Sequence, residues 1–403
     1  MSKIIEELQQ DRKMIFSLIQ KKGPLTKRAI QNLTNIKLTT LNRIISDLIF
    51  KELIIEESVG ESTGGRKPAL YNVNSSKFYS IGIDISRTYT QIVLTNLKMQ
   101  IIKEKRFSGE DWYSSEDLVE RIVEAVKGLL YGINITSDYL LGVGVGVIGP
   151  LEREKETKTS STNMGKSSFK SKLIKESLES RLGLPVIIDN GANCAVLGEY
   201  FYGFGKGYDN IAYFNCGMGI RTGVITSGKI IRAINDREDA FGHMVISIDG
   251  RECYCGNCGC VESYSSIYSI VKEFKSKFKK ENKSCTENYL DSIDYKDVFN
   301  LANKGEPISK AVVSNSAIVF GTALTNYINL LNPQLVILSG PTIYNSDIFY
   351  KLSTEVAIKK INASNANIKF SKGGYFKEYT MAVGAAAMVI ESKISLGAER
   401  RQQ

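Results

Sequence analysis

The stretch Cys253-Tyr254-Cys255-Gly256-Asn257-Cys258-Gly259-Cys260 sets four thiols within eight residues, shortly after His243, the only histidine of the 403-residue chain. Thiolates and imidazole are the donors with which zinc completes a closed tetrahedral, structural site. His243 with three of Cys253, Cys255, Cys258 and Cys260 supplies that set, and four cysteine ligands are the rival arrangement. Gly256 and Gly259 let the backbone turn tightly enough for thiols so close in sequence to converge on one ion. A disulfide pair is the alternative that needs no metal.

Composition bears on that choice. The other three cysteines are scattered at 194, 216 and 285, so the count of seven is odd. With no leader-like segment at its start, the chain is expected to be cytoplasmic, where thiols stay reduced. No apolar run reaches the roughly 18–20 residues of a membrane span, so no membrane partner is expected. The length suggests two to four domains. Net charge is +9, and residues 1–78 hold 13 Lys or Arg against 8 Asp or Glu, which suggests an anionic partner for that segment.

The pattern beneath that charge is more specific. Ile4, Ile5, Leu8, Met14, Ile15, Leu18 and Ile19 recur at helical spacing through residues 3–21, and Gly23-Pro24 stops the run. A second helix is expected from Thr26 to near Leu33. Thr39 or Thr40 is placed to cap a third, with Leu41, Ile44, Ile45, Leu48 and Ile49 inward and Asn42, Arg43 and Ser46 outward. The period then changes: Leu53–Val59 and Ala69–Val73 read as strands flanking a tip that ends in Gly64-Gly65-Arg66-Lys67-Pro68. Three helices and a hairpin make a winged helix-turn-helix. Thr39, Thr40, Asn42 and Arg43 are then the residues expected to read a double-stranded DNA operator in the major groove. Arg66 and Lys67 on the wing are expected to enter the minor groove or clamp phosphate.

Ser62-Thr-Gly-Gly-Arg-Lys-Pro68, Tyr79-Ser-Ile-Gly-Ile-Asp84 and the cysteine loop together resemble the ROK family of bacterial sugar-responsive repressors and sugar kinases, with a layout similar to xylose-repressor-type members. The family signature C-x-C-G-x-x-G-C-x-E is matched by Cys253, Cys255, Gly256, Gly259, Cys260 and Glu262. The resemblance implies zinc held by His243, Cys253, Cys255 and Cys260, leaving Cys258 as an extra thiol. It also implies the fold class: an α/β chain with an N-terminal winged helix-turn-helix over residues 1–78 and a two-lobed actin/hexokinase-like (RNase H-like) domain over 79–403. Lobe one takes about 79–195 with a C-terminal helix near 380–396, lobe two takes about 196–379, and a sugar sits between them. The pattern agrees, with strands over 79–107, a helix at Ser115–Leu130, buried strands at Leu140–Val147 and Leu184–Ile188, strands over 211–231, helices over 262–331 and a strand at Leu335–Ser339.

Three motifs of the family's kinases are altered. An Asp-x-Gly-Gly-Thr-Lys phosphate loop is replaced by Asp84-Ile-Ser-Arg-Thr-Tyr89, so Ser86 and Arg87 obstruct backbone approach to phosphate. An Asn-Asp-x-Asn segment carries the kinases' general base; here Asp189-Asn190-Gly191-Ala192-Asn193 puts Gly191 at the base position, and a glycine cannot accept a proton. The second glycine loop reads Gly217-Met-Gly-Ile-Arg-Thr-Gly223, with Met218 and Arg221 in place of Thr and Gly. Ala240 stands where relatives hold sugar with a Glu, leaving Asn163, Asn190, His243 and Glu262 as matched effector-binding positions. The expectation is a homodimeric or higher-order DNA-binding repressor of carbohydrate genes with a sugar effector, structural zinc and no enzyme activity. An active sugar kinase and a regulator without a small ligand are the alternatives. Lys272 to Lys283 reads as the solvated face of an amphipathic helix, and Arg153 to Lys172 as a polar loop.

Overall fold

The computed structural model describes the chain except residues 1–3, 58–67, 110–114, 134, 148–170, 233–239, 283–285, 362–366 and 395–403. The N-terminal segment runs α1 (Gln10–Lys22), β1 (Leu25–Thr26), α2 (Lys27–Thr34), α3 (Leu38–Phe50), β2 (Ile54–Glu57) and β3 (Leu70–Val73). In α3 the spacing of Leu41, Ile44, Ile45 and Leu48 puts all four on one buried face. Asn35, in the left-handed conformation at φ 56°, ends α2 and turns the chain toward α3. The three short strands order as β1-β3-β2.

Several local expectations shift. Helix α1 starts at Gln10 rather than residue 3, because Ile5 and Leu8 reach the core from a turn in which Leu8 N–H donates to Ile5 O. Neither Thr39 nor Thr40 caps α3: the helix already begins at Leu38, and Lys37 at the cap makes no side-chain bond. Ile49 lies on the exposed side, 38% accessible. Strand β1 has no sequence pattern of its own and exists through its pairing with β3.

The chain next forms β4 (Tyr79–Ile85), β5 (Tyr89–Asn96), β6 (Ile101–Ser108), α4 (Ser115–Leu130), β7 (Leu140–Val147), α5 (Ser171–Leu182), β8 (Val186–Asn190) and α6 (Gly191–Tyr202). Lys172, expected in a loop, is helical; the rest of that loop lies outside the described residues except Ser171. Then come β9 (Ile211–Cys216), β10 (Ile220–Thr226), β11 (Lys229–Ile230), α7 (Glu262–Ser265), α8 (Ile267–Glu281), α9 (Glu287–Ser292), α10 (Tyr295–Asn303) and α11 (Pro307–Leu331). Strand β12 (Leu335–Ser339), α12 (Pro341–Asn345), α13 (Asp347–Lys360), β13 (Lys369–Lys372) and α14 (Thr380–Ile394) complete the order.

Two compact units result. The first joins Met1–Ile148, Lys170–Cys194 and Met381–Gln403, and the second joins Gly149–Phe169 and Ala195–Thr380. Each is built on a five-stranded sheet, β6-β5-β4-β7-β8 in the first and β11-β10-β9-β12-β13 in the second. The strand orders and directions correspond, with an antiparallel meander followed by two parallel strands. This is the duplicated, two-lobed α/β architecture expected.

In the first unit α14 lies directly on the sheet. A β-carbon at Gly82 would come within 1.9 Å of the Ala382 carbonyl oxygen, and one at Gly144 within 1.8 Å of that of Ala385. Only glycine admits backbone so close. The core of the second unit gathers Phe214, Phe241, Phe274, Phe299, Phe320 and Phe349. Helix α11, the one described helix long and apolar enough to cross a membrane, runs through this core with Val312, Val313, Phe320 and Leu324 buried. On α8, Ile270 and Phe274 are buried while Lys272, Lys277, Lys279 and Lys280 are exposed, as a solvated basic face requires.

Candidate functional site

On α3, Thr39, Asn42 and Arg43 are exposed and Thr40 is half-buried, so the outward face predicted for the third helix is polar and accessible. Arg66 and Lys67 fall outside the described residues. Beside α3 lies an open cavity of about 700 Å³ lined by Lys27, Arg28, Gln31, Asn32, Asn35, Ile36 and Leu38. The side chains of α2 in that lining escaped the sequence reading. Their signal was present, since Lys27, Gln31 and Arg28, Asn32 are two polar pairs at a helical spacing of four. Gln31 also fixes the turn by donating its amide N–H to Ile36 O at 3.2 Å.

In the first unit Asp84 is the penultimate residue of β4 and its carboxylate is buried. The Tyr89 hydroxyl donates to its Oδ2 at 3.0 Å, and the Arg106 guanidinium stacks 3.9 Å from the Tyr89 ring centroid. Burial pushes the Asp84 pKa up to about 7 against the opposing pull of Tyr89 and Arg106. Ser86 is half-buried and Arg87 exposed. A β-carbon at Gly191 would lie 3.9 Å from Asp84 Oδ1 and 3.2 Å from Met381 Sδ. The neighbours of Gly191 are occupied with local structure: Asp189 Oδ1 accepts from the Asn190 N–H at 2.8 Å and from Asn193 Nδ2 at 3.1 Å, and Asn190 Oδ1 accepts from Ala192 N–H at 2.8 Å. Both side chains are buried at the end of β8, just before α6.

In the second unit the cysteine loop folds back on the segment after Phe241. A β-carbon at Gly259, whose φ is +76°, would lie 1.7 Å from the Ser247 carbonyl oxygen, so the loop closes only with glycine there. One donor atom from each of His243, Cys253, Cys255 and Cys260 falls within 4.8 Å of the others, a cluster able to hold a metal ion. Cys253 Sγ lies 3.6 Å from His243 Nδ1, and Cys255 Sγ lies 3.8 Å from Cys260 Sγ. That second distance is far beyond a disulfide bond of about 2.05 Å. Cys258 is exposed and outside the cluster. The Tyr254 hydroxyl lies 3.3 Å from His243 Nε2, the ring nitrogen turned away from Cys253.

Glu262 opens α7, almost wholly buried. Its Oε2 accepts from the Ile220 N–H at 2.9 Å and from Arg221 Nη1 at 3.2 Å, a buried ion pair. Arg221 stands on β10 with its guanidinium folded over Gly219, whose β-carbon would meet Nη1 at 2.7 Å. Sequence reasoning registered Arg221 only as a lost glycine; its partner lies 41 residues away, beyond any local pattern. Ala240 is exposed, and Asn163 lies outside the described residues.

Against known proteins, the ROK family model matches residues 80–392. A putative xylose repressor of Caldicellulosiruptor sp. (strain Rt8B.4) is 26% identical over 387 residues, covering 95% of this chain and 96% of that protein. A glucokinase of Halalkalibacterium halodurans is 28% identical over 270 residues, 66% of this chain and 81% of the kinase. Among solved structures, a ROK family transcriptional regulator described as a homologue of the E. coli MLC protein matches with a TM-score of 0.75 and 19% identity, over 98% of this chain and 97% of that one. The fold is therefore shared with regulators of that kind, and the chain belongs to the ROK family.

Proposed function

We propose that the chain is a sequence-specific DNA-binding transcriptional regulator, a cytoplasmic repressor of carbohydrate-utilisation genes with a sugar or sugar derivative as effector and no kinase activity. Residues 1–78 are taken as the DNA-binding domain and 79–403 as the effector-responsive ROK domain. The observation that carries the reading is the winged segment: α3 presents Thr39, Asn42 and Arg43 outward beside the polar and basic side chains of α2. Such a helix enters the major groove while its neighbour meets the backbone. Arg66 and Lys67 are assigned to wing contacts. The repressor relative, similar over nearly its whole length, supports the same role. A homodimer suits it, since a two-fold axis copies the palindrome of an operator.

The metal is assigned as structural zinc. A zinc ion about 2.3 Å from sulfur and about 2.0 Å from nitrogen has tetrahedral edges of about 3.8 Å between sulfurs and about 3.5 Å between sulfur and nitrogen. The spacings of 3.8 Å and 3.6 Å fit those edges. Bound there, zinc would hold the segments around His243 and Glu262 together. Asn163, Asn190, His243 and Glu262 are the positions assigned to the effector.

The glucokinase relative favours a second reading, an active sugar kinase. Against it stand Gly191, which has no proton acceptor, and Asp189, whose carboxylate is engaged by the Asn190 amide and Asn193. Selection of genomic DNA fragments by the purified zinc-loaded protein, repeated with Arg43→Ala and Arg66→Ala, tests the first reading. The expected result is a palindrome beside carbohydrate genes, lost in both variants. Absence of any enriched site together with ATP consumption on hexoses or pentoses would replace the repressor by the kinase.

A further inference from the structure

We infer that Leu38 is a specificity-determining residue of the DNA interface, and that the group it selects is the C5-methyl of a thymine. This deepens the proposed function and rests on its placing of α3 in the major groove. Leu38 is the first residue of α3 and 49% exposed, whereas Leu41, three residues on, is wholly buried. Its row on the helix continues in Asn42, four residues further and exposed, and the neighbouring row holds Thr39 and Arg43, both exposed. Leu38 therefore stands on the outward face of α3. It also lines the open cavity of about 700 Å³ to which α2 contributes Lys27, Arg28, Gln31 and Asn32.

A single exposed leucine is ordinary on a protein surface; what distinguishes Leu38 is where it stands. Basic and amide side chains share its cavity, with the Lys27 ammonium 5.4 Å from the Tyr71 ring centroid and Gln31 tied to the Ile36 carbonyl. An apolar protein surface docked on this leucine would have to cover those cations and amides as well. The DNA backbone instead supplies the anions that Lys27 and Arg28 attract. Residues at the N-terminal end of a helix lying in the major groove are the ones that reach base edges. Of the groups displayed there, the thymine methyl is the apolar one, and the rest are hydrogen-bond donors and acceptors. Leucine gives those polar groups no partner, and pressed against a cytosine amine or a guanine oxygen it would leave them desolvated and unpaired. Asn42, one turn on, carries the donor and acceptor that adenine requires, so both residues favour A·T pairs.

The test uses the full zinc-loaded chain and the genomic fragment that it enriches, with each thymine replaced in turn by uracil. That exchange removes the methyl and keeps every hydrogen-bonding group of the base. Binding is measured for the wild type, Leu38→Ala and Leu38→Gln. The expected result is at least one thymine whose replacement weakens wild-type binding about fourfold, the effect of withdrawing one buried methyl. Both variants should bind the thymine form more weakly and should no longer distinguish thymine from uracil at that position. Such a cycle separates a methyl contact from a general weakening, which would lower affinity for both forms alike. A methyl effect that persists unchanged in both variants would belong to another side chain, such as the methyl of Thr39, and overturns the assignment of Leu38. Absence of a methyl effect at every position, or failure of both variants to fold, which would make Leu38 a core residue, overturns it as well while the DNA-binding reading stands. If no fragment is enriched at all, the assignment and that reading fall together.

Discussion

Asp84 is a buried carboxylate whose environment moves it far from its ordinary chemistry. Its folded pKa of about 7 lies above the value of 3.8 for an exposed aspartate, so between those values the folded chain holds a proton that the unfolded chain has released. The protons bound by the unfolded state are then fewer, and stability from this group falls as pH rises through that window. Stability is full below about pH 4 and lost above about pH 7. Asp84→Asn should remove the cost of a buried charge while still accepting from the Tyr89 hydroxyl. The variant is expected to melt closest to wild type near pH 4 and to be more stable at pH 8 by on the order of 1–3 kcal/mol. Identical differences at both pH values would show that Asp84 titrates normally. The sequence disclosed Asp84 and the absence of a glycine pair after it, because both lie within one short motif. It did not disclose that Tyr89 would turn back onto the carboxylate or that Arg106 would cover the ring, since those contacts depend on the register of β4, β5 and β6.

Among the elements, the cysteine loop was the most legible and the short strands the least. Four thiols with two glycines can converge in few ways, and the structure converges three of them with His243. Strong periodicity likewise placed α4, β7 and β12 at their observed limits. Strands β1 and β11 have two residues each, too few for alternation to show, and exist only through pairing with β3 and β10. The loop also supports a prediction of its own. Cys255 is one of the four donors, half-exposed, and its loss leaves three ligands for an ion that needs four in a structural site. Cys255→Ser is expected to release the metal, to destabilise the segments around Val245 and Glu262, and to weaken any effector response before DNA binding changes. Metal analysis with hydrogen exchange checks this: full metal content, or lost protection in α1 to α3 at the same extent as in α7, would count against a role confined to the second unit.

At the scale of the whole molecule, the N-terminal segment is fastened to the sheet and C-terminal helix of the first unit. Gln20 at the end of α1 donates its side-chain N–H to the Leu97 carbonyl at 3.1 Å in a buried contact. Lys21 pairs with Glu391 on α14 at 2.7 Å, and Lys393, two residues further along the same helix, pairs with Glu6. The two ion pairs join residues 370 and 387 positions apart, which is why periodicity alone could place the N-terminal helices and a final helix without joining them. Helix α14 is itself packed against β4 and β7 at Gly82 and Gly144, so it touches both the sheet and α1. The Lys21–Glu391 pair is partly buried, 22% and 11% exposed, and its coupling should be about 1 kcal/mol, near the upper end for accessible pairs. Glu391→Lys should therefore loosen the N-terminal segment, seen as faster proteolysis before residue 78 and weaker operator binding. Adding Lys21→Glu restores the attraction with the charges exchanged, and the double variant should recover most of both properties. Recovery in neither would mean that Gln20 and the apolar contacts of α1 hold the N-terminal segment without help from the pair, and that α14 does not communicate with it through charge.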